Sequence, residues 1–452
     1  MWFMFLTALA ITPRDLDLVL YGAYGCVGHI AALHLANKTG LNWAIAGRNE
    51  TKLKSLAAEL RASGGASSTP EIIVSPLTGD ITPWVGRAKV VATAAGPFSI
   101  HDGERLLEAC AQLGVHYADT SDEFYWQRRM IDRHHAAALA SGAHISLASG
   151  FCAVAADLGA AMAIGEGPVP QGSDARLDAW LERYSGGISG GVIHTTHVNA
   201  SYPKAWNSDP YVLAPNASST VRVDTLVDGT HYPTTASPEG LIVPNLFGDY
   251  DARFMRRSFA ARGQVVKLRV GSPVAQYTAW IEYLVRHPGS WGSLGTCPTE
   301  GLLHDGAWRY RFRATVKDAA SGARASATDV VLSGSGDPGY IFTARGLAEV
   351  ALCLQADACR GDPAGGVLSP GLAVNMSALS ARLESAGLLT VQVQEASPVD
   401  AEREQAVGTP SEEKAAAVAL ADLINLNGSR ATRLASISAL QRRIPGVQGE
   451  SR

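Results

Sequence analysis

No stretch of these 452 residues is apolar for the 18 or so positions that a membrane-spanning helix needs. The opening MWFMFLTALAI is too short to span and lacks the basic flank of a signal peptide. Three readings of it stay open: an unstructured lead, a packed cap, or a shallow membrane contact. SPVAQYTAWIEYLV, 272–285, has the length of a buried or interfacial element. Charge is sparse, 18% of residues, and the balance of -4 leaves no basic footprint for nucleic acid. The six cysteines, at 26, 110, 152, 297, 353 and 359, form no CxxC pair and no His/Cys cluster, which excludes a zinc site of the usual spacing. They read as reduced, buried thiols in a reducing, cytoplasmic compartment.

What the chain does have is an alternation of short apolar runs and amphipathic stretches. LDLVLY (16–21), NWAIAG (42–47), EIIVSP (71–76), AKVVATAAGP (88–97), VHYAD (115–119) and HISLAS (144–149) have the composition of strands buried on both faces. Helical patterns separate them, so the spacing predicts a doubly wound parallel α/β sheet over 16–165. From 166 to 340 the pattern changes. A strand feeds a Gly/Ser-rich loop at 185–191, residues 200–260 show weak periodicity, and 308–334 alternates like an antiparallel hairpin. This predicts a second, α+β domain with a mostly antiparallel sheet. Helices over 341–395 are expected to return to the core, and 396–452 reads as a low-complexity tail.

LVLYGAYGCVGHIAALHLA, 18–36, places Gly22, Gly25 and Gly28 between the first strand and the first helix. A glycine turn there lets backbone N–H groups approach a pyrophosphate at the positive end of the helix. A purely structural turn would use the same residues. The end of the second strand chooses between the two dinucleotides. NAD sites carry an acidic residue there for the ribose 2′-OH. This strand ends AGRNETK, with Arg48 in that place and Lys52 one helical turn on. A guanidinium suits a 2′-phosphate, which a carboxylate would repel. The expected cofactor is therefore NADP(H), held by Gly22, Tyr24, Gly25, Cys26, Val27, Gly28, Arg48 and Lys52; Asp119, at the carboxyl edge of the fifth strand, could join them or cap the next helix.

YGAYGCVG, AGRNETKL, AAGPFSIHDGERLLEACAQLGVHYADTSDE, GDPGYIFTARGLAEVALCL and GGVLSPGLAVNMSALSARLESAGL occur in an order that resembles the saccharopine dehydrogenase-like oxidoreductases. That group includes trans-acting enoyl reductases and lipid-droplet-associated members. The resemblance covers roughly 16–395. It implies an N-terminal Rossmann domain, NADP(H), and cofactor contacts from Ala95, Gly96, Pro97 and Phe98, whose turn would run beside the nicotinamide half. Three patterns depart from the group. The glycine of YxDxxGE is Asp122 here, GFDSxPxD keeps only Gly150, Phe151 and Asp157, and SGGT ends in Ile188.

The YxxxK pair of short-chain dehydrogenases is missing from any usable place, so no motif names a proton donor. Tyr184, before the Gly/Ser loop, is the candidate catalytic residue; His194 and His197 follow it. Cys152 reads as an inert thiol. The aromatic residues Tyr277, Trp280, Tyr283, Trp291, Trp308, Tyr310 and Phe312 could line an apolar cleft or fill a core. These features point to an NADP(H)-dependent reductase of an enoyl or keto group on a hydrophobic, lipid- or polyketide-like acyl substrate. Two alternatives stand beside it: a cofactor-binding but idle protein at a lipid-droplet or membrane surface, and a saccharopine-type amino-acid dehydrogenase. Peripheral membrane contact and a homodimer stay open. Arg48 yields a direct expectation: NADPH should bind at least about tenfold more tightly than NADH, roughly 1.4 kcal/mol. Fluorescence titration of both cofactors against wild type and Arg48→Ala measures it. Equal affinities in the wild type would contradict it.

Overall fold

The computed structural model describes residues 14–170, 172–203, 209–214, 235–237, 240–243, 247–273, 276, 279–280, 296–317, 324–362 and 364–395. Two seven-stranded sheets organise them. The first holds β1 (Leu16–Tyr21), β2 (Trp43–Gly47), β3 (Glu71–Val74), β4 (Ala88–Thr93), β5 (His116–Asp119) and β6 (His144–Ser146). Its helices are α1 (Cys26–Ala36), α2 (Glu50–Ala62), α3 (Thr82–Val85), α4 (Gly103–Leu113) and α5 (Phe124–Ser141). The strand order 3-2-1-4-5-6 continues into a late strand, and every pairing in this sheet is parallel. Leu18, Val19 and Leu20 are buried on alternate faces, as a central parallel strand requires. The doubly wound reading is therefore the observed fold.

α6 (Phe151–Ile164) follows β6. The sequence-based boundary at 166 puts it with the first unit, but it packs on the second sheet. That sheet comprises β7 (Asp174–Ser185), β8 (Thr235–Ser237), β9 (Gly240–Val243), β10 (Val266–Pro273), β11 (Ala307–Lys317) and β12 (Arg324–Ser335), with a late strand at its edge. It is antiparallel except for β7 beside β10, which run parallel. α7 (Gly190–Ala200) starts in the stretch expected to be loop. Ser189 accepts a hydrogen bond from Val192 N, capping α7 despite its glycines. α8 (Gly248–Ala261) lies in the region of weak periodicity. It buries three arginines, 253, 256 and 257, that disguise its packed face. α9 (Glu300–Asp305) precedes β11.

The chain then returns to the first sheet. A π-helical turn at Pro338–Phe342 runs into α10 (Thr343–Gln355), which packs on β4, β5 and α1. β13 (Gly366–Leu368) adds the seventh parallel strand beside β6. After α11 (Pro370–Ala373) and α12 (Met376–Ser385), β14 (Thr390–Glu395) completes the second sheet against β12. One apolar core runs from Leu18 and Val90 through Leu347 and Val154 to Phe312 and Val330, so both sheets share it. The apolar lead before residue 14 and the tail after 395 lie outside the described residues.

Glu349, almost fully buried on α10, ties this core together. It is paired with His34 at 2.7 Å and with Lys38, both from the α1 end, and with Arg382 of α12 at 2.8 Å. Burial alone would push its carboxyl up. The hydrogen bonds from His34 and Lys38 and the Arg382 charge overcome that and hold it at about 2. A depressed carboxyl stabilises the fold above its unfolded value and loses that contribution as pH falls through about 2. Glu349→Ala should destabilise at neutral pH, at the lower end of the roughly 3–5 kcal/mol typical of broken buried pairs. The cations it abandons are partly solvated. Chemical denaturation measures the loss; an unchanged midpoint would refute the assignment.

Candidate functional site

The loops at the carboxyl ends of β1, β2 and β4 come together because small residues let them. Gly22 adopts φ +76, a left-handed conformation that glycine takes without strain. A Cβ at Gly28 would collide with the Gly22 carbonyl oxygen, so α1 can approach the turn only with glycine at 28. A Cβ at Gly22 would lie 3.0 Å from that of Ala95, which fixes the β4 loop against the β1 turn. Gly25 is different. A Cβ there meets only the Gly22 oxygen, at 3.4 Å. The protein therefore does not need glycine at 25 for its own packing, and the space in front of it is open. Gly25 is the N-cap of α1, with no side-chain cap and no acidic residue in the first turn. These free N–H groups face the place where a pyrophosphate would sit, so the cradle fits a dinucleotide.

The second strand supplies the other end. Tyr24 lies over Gly47, where a Cβ would come within 2.7 Å of its ring, and Lys52 Nζ stands 5.5 Å from the ring centre. Arg48 is exposed beside them. Asn49 caps α2 by accepting from Lys52 N at 2.9 Å, which sets Arg48 and Lys52 at a helix N-terminus. Arg48 and Lys52 thus stand one helical turn apart at the start of α2, two cations that suit a 2′-phosphate.

At the opposite end a cavity of about 390 Å³ opens between the two sheets. Val27, Gly96 and Phe98 form its cofactor-side wall, and Tyr184, Ile188, Phe247, Tyr250 and Tyr340 its far wall. Among the described residues that line it there is no lysine, arginine or histidine. Gly96-Pro97 is a cis peptide, and Phe98 is buried against Trp126. Glu123, itself fully buried, accepts from Phe98 N at 2.5 Å and Ser99 N at 3.1 Å and so holds this turn. Asp337 accepts from Gly187 N at 2.7 Å and Gly339 N at 2.8 Å, fastening the Tyr184–Ser189 segment to the π-helical turn. Burial pushes the Asp337 carboxyl up to about 7.

Residues 18–145 match the family model of the saccharopine dehydrogenase NADP-binding domain. A Mycobacterium leprae protein named trans-acting enoyl reductase is 40% identical over 149 residues, covering 32% of this chain and 34% of that protein. A Mycobacterium tuberculosis protein whose name gives the same activity provisionally is 29% identical over 428 residues, covering 84% of this chain and 98% of that one. Residues 18–145 are therefore a saccharopine dehydrogenase-type NADP-binding domain, and the chain is an oxidoreductase similar to these relatives. Among solved structures, apo saccharopine dehydrogenase of Saccharomyces cerevisiae superposes weakly, with a TM-score of 0.44 and 12% identity over 84% of this chain and 100% of that chain.

Within this oxidoreductase several expected residues stand elsewhere. Asp119 is fully buried and turned from the cavity. It accepts from Ser121 N at 3.0 Å, Ser121 Oγ at 2.7 Å, Ala148 N at 2.9 Å and Tyr117 Oη at 3.1 Å. It joins the β5 and β6 turns and leaves no atom for a cofactor. His194 and His197 ride on α7 and do not line the cavity; His197 Nδ1 is engaged with Ile193 O. Trp308, Tyr310 and Phe312 fill the shared core, and Trp280 packs edge-on against Tyr184. Tyr277, Tyr283 and Trp291 lie outside the described residues. Cys152 lines the cavity, with burial pushing its thiol well up, so it stays protonated.

The cysteines correct the reading of six reduced thiols. Cys26 is bonded to Cys297 and Cys353 to Cys359, leaving Cys110 and Cys152 free. A partner 271 residues away leaves no trace in local spacing. The inference of a reducing compartment loses its basis. Among the described residues no helix is long and apolar enough to cross a membrane, and no cluster of His, Cys, Asp or Glu could hold a metal.

The two inner glycines should separate in their effects. Gly25→Val should abolish NADPH binding while the thermal transition stays close to wild type. Gly28→Ala should lower the transition temperature itself, since its Cβ meets backbone. Calorimetry with NADPH titration checks both; a Gly25→Val protein that still binds NADPH would show that the cradle serves only the turn.

Proposed function

We propose that this oxidoreductase reduces a C=C or C=O bond of a hydrophobic acyl or polyketide-type substrate, using NADPH. The observation that carries the reading is the cavity itself. It abuts the cofactor cradle at Val27, Gly96 and Phe98, and its remaining walls are largely apolar and aromatic. A buried carboxylate needs a cation to pair with, and the described lining residues offer none, which counts against a small amino acid or dicarboxylate. An alkyl chain suits it, at about 0.8 kcal/mol for each methylene buried. The names of the mycobacterial relatives support the same direction.

The reduced cofactor, when bound, supplies a hydride. The chain's residues hold and shield it. The Gly22–Gly28 turn would take the pyrophosphate, Arg48 and Lys52 the 2′-phosphate, and Ala95–Phe98 the nicotinamide side. Phe247 and Trp280 pack on the Tyr184 ring, and Tyr340 Oη accepts from Ser189 N, which holds this wall together. Tyr184 remains our candidate for the proton that completes the reduction. Burial holds its hydroxyl protonated well above its ordinary range.

A second reading, an idle cofactor-binding protein, draws on Cys152, Ala153 and Ile188, three positions where the related patterns carry polar residues. A panel of medium- and long-chain enoyl and keto thioesters decides between them through NADPH oxidation. Turnover that rises with chain length and falls at least about tenfold in Tyr184→Phe is expected. NADPH binding with no turnover on any member would favour the idle protein, and turnover of saccharopine alone would overturn both.

A further inference from the structure

We infer that Asp122 is a specificity-determining residue of this cavity: its carboxyl group donates a hydrogen bond to the carbonyl oxygen of an uncharged acyl group and turns away ligands that carry a free carboxylate. The inference rests on the proposed function only in taking the cavity as the substrate site.

Asp122 stands in the turn between β5 and α5, at the carboxyl edge of the first sheet, and lines the cavity. Asn199 Nδ2 of α7 donates to its backbone carbonyl at 2.8 Å, which fixes the turn against the second domain. Its two acidic neighbours are committed elsewhere, Asp119 to the β5 and β6 turns and Glu123 to the backbone of Phe98 and Ser99. The Asp122 carboxyl has its own backbone N–H and the Thr195 hydroxyl as hydrogen-bond partners, and the residue lines the cavity. It occupies the position that is glycine in the related YxDxxGE pattern. This chain therefore adds a carboxyl group where that pattern has no side chain.

The surroundings determine the form this group takes. Glu123 and Asp119 flank it on its own segment. Cys152 faces it from α6, Tyr250 from α8 and Tyr340 from the π-helical turn, and Thr195 comes from α7. None of these is a cation. Burial, reinforced by the Glu123 charge, pushes the Asp122 carboxyl up to about 7. Below that it is a neutral O–H donor on the cavity wall, which Tyr184 also lines. Tyr250 Oη already donates to Ser121 O at 2.9 Å. A carbonyl oxygen is the natural acceptor for such a group. A ligand carboxylate would lie near Asp122, Glu123 and the Asp249 carboxyl, which also lines the cavity, and find no counter-charge among the described lining residues.

The test is binding, which needs no turnover. The oxidised-cofactor complex is titrated calorimetrically with dodecanoyl-N-acetylcysteamine and with dodecanoate, in wild type, Asp122→Asn and Asp122→Ala. Wild type should bind the thioester at least about tenfold more tightly than dodecanoate at neutral pH. Its thioester affinity should fall roughly tenfold over about two pH units centred on neutrality, as the donor ionises. Asp122→Asn keeps an N–H donor that does not titrate, so its affinity should be retained and flat with pH. Asp122→Ala should bind the thioester more weakly and discriminate less against dodecanoate. A pH-independent wild type, equal affinity for the two ligands, unaltered selectivity in Asp122→Ala, or no thioester binding at all would each overturn the inference. Selective binding as described, with no NADPH oxidation on the corresponding enoyl thioester, would instead overturn the reductase reading and leave the role of Asp122 standing.

Discussion

The Gly22 carbonyl oxygen occupies the space that a side chain at Gly28 would need, and the site depends on that exclusion. Because the turn closes so tightly, the N-terminus of α1 reaches the end of β1 with its first N–H groups uncapped. Ala95 packs on Gly22 and brings the β4 loop to the same point. Tyr24, carried by the turn, lies over Gly47 and aligns the end of β2. Three strand ends thus converge at the carboxyl edge of one parallel sheet, where ligands of open α/β folds bind.

The groove that results is electrostatically divided. Arg48 and Lys52 stand at the β2 end, suited to phosphate. At the other end the cavity holds aromatic rings and the carboxyls of Asp122 and Asp249, with no cation among its described lining residues. The second sheet supplies that far wall without floating free, since α6, α10 and α12 join the two sheets in one core. The Cys26–Cys297 bond adds a covalent tie from the first residue of α1 to the segment before α9. Cys26 and Cys297 pack with Val27, Leu303 and Ile341 at the rim of the cradle.

Six strands of the first sheet were legible in the sequence because each is a local apolar run, whereas the seventh, β13, is three residues long and fell in a stretch read as helical. β1 was placed over the same six residues in both. The cradle glycines were legible for the same reason: turn, strand and helix lie within twenty residues. What escaped was non-local. α8 buries Arg253, Arg256 and Arg257, so its packed face reads as polar. α7 begins with two glycines and depends on the Ser189 cap. The disulfide partners are far apart in the chain. Asp119 looked like a ligand because it ends a strand at the binding edge, yet Ser121, Ala148 and Tyr117 draw its carboxylate inward. Asp122 appeared only as a lost glycine; its place in the cavity is set by Asn199 and Thr195, from a helix more than seventy residues away.

The central claim is that a phosphorylated nicotinamide dinucleotide spans this divided groove, with its reactive end at the cavity. Hydrogen exchange with and without NADPH reads that placement along the whole chain, independently of any substrate. The account predicts slowed exchange confined to the Gly22–Gly28 turn, the Arg48–Lys52 turn and the loop Ala94–Ser99, together with the cavity face at Tyr184–Ser189. Protection of the first two segments without the loop Ala94–Ser99 or the cavity face would contradict it, because the cofactor would then end short of the site where we place the chemistry.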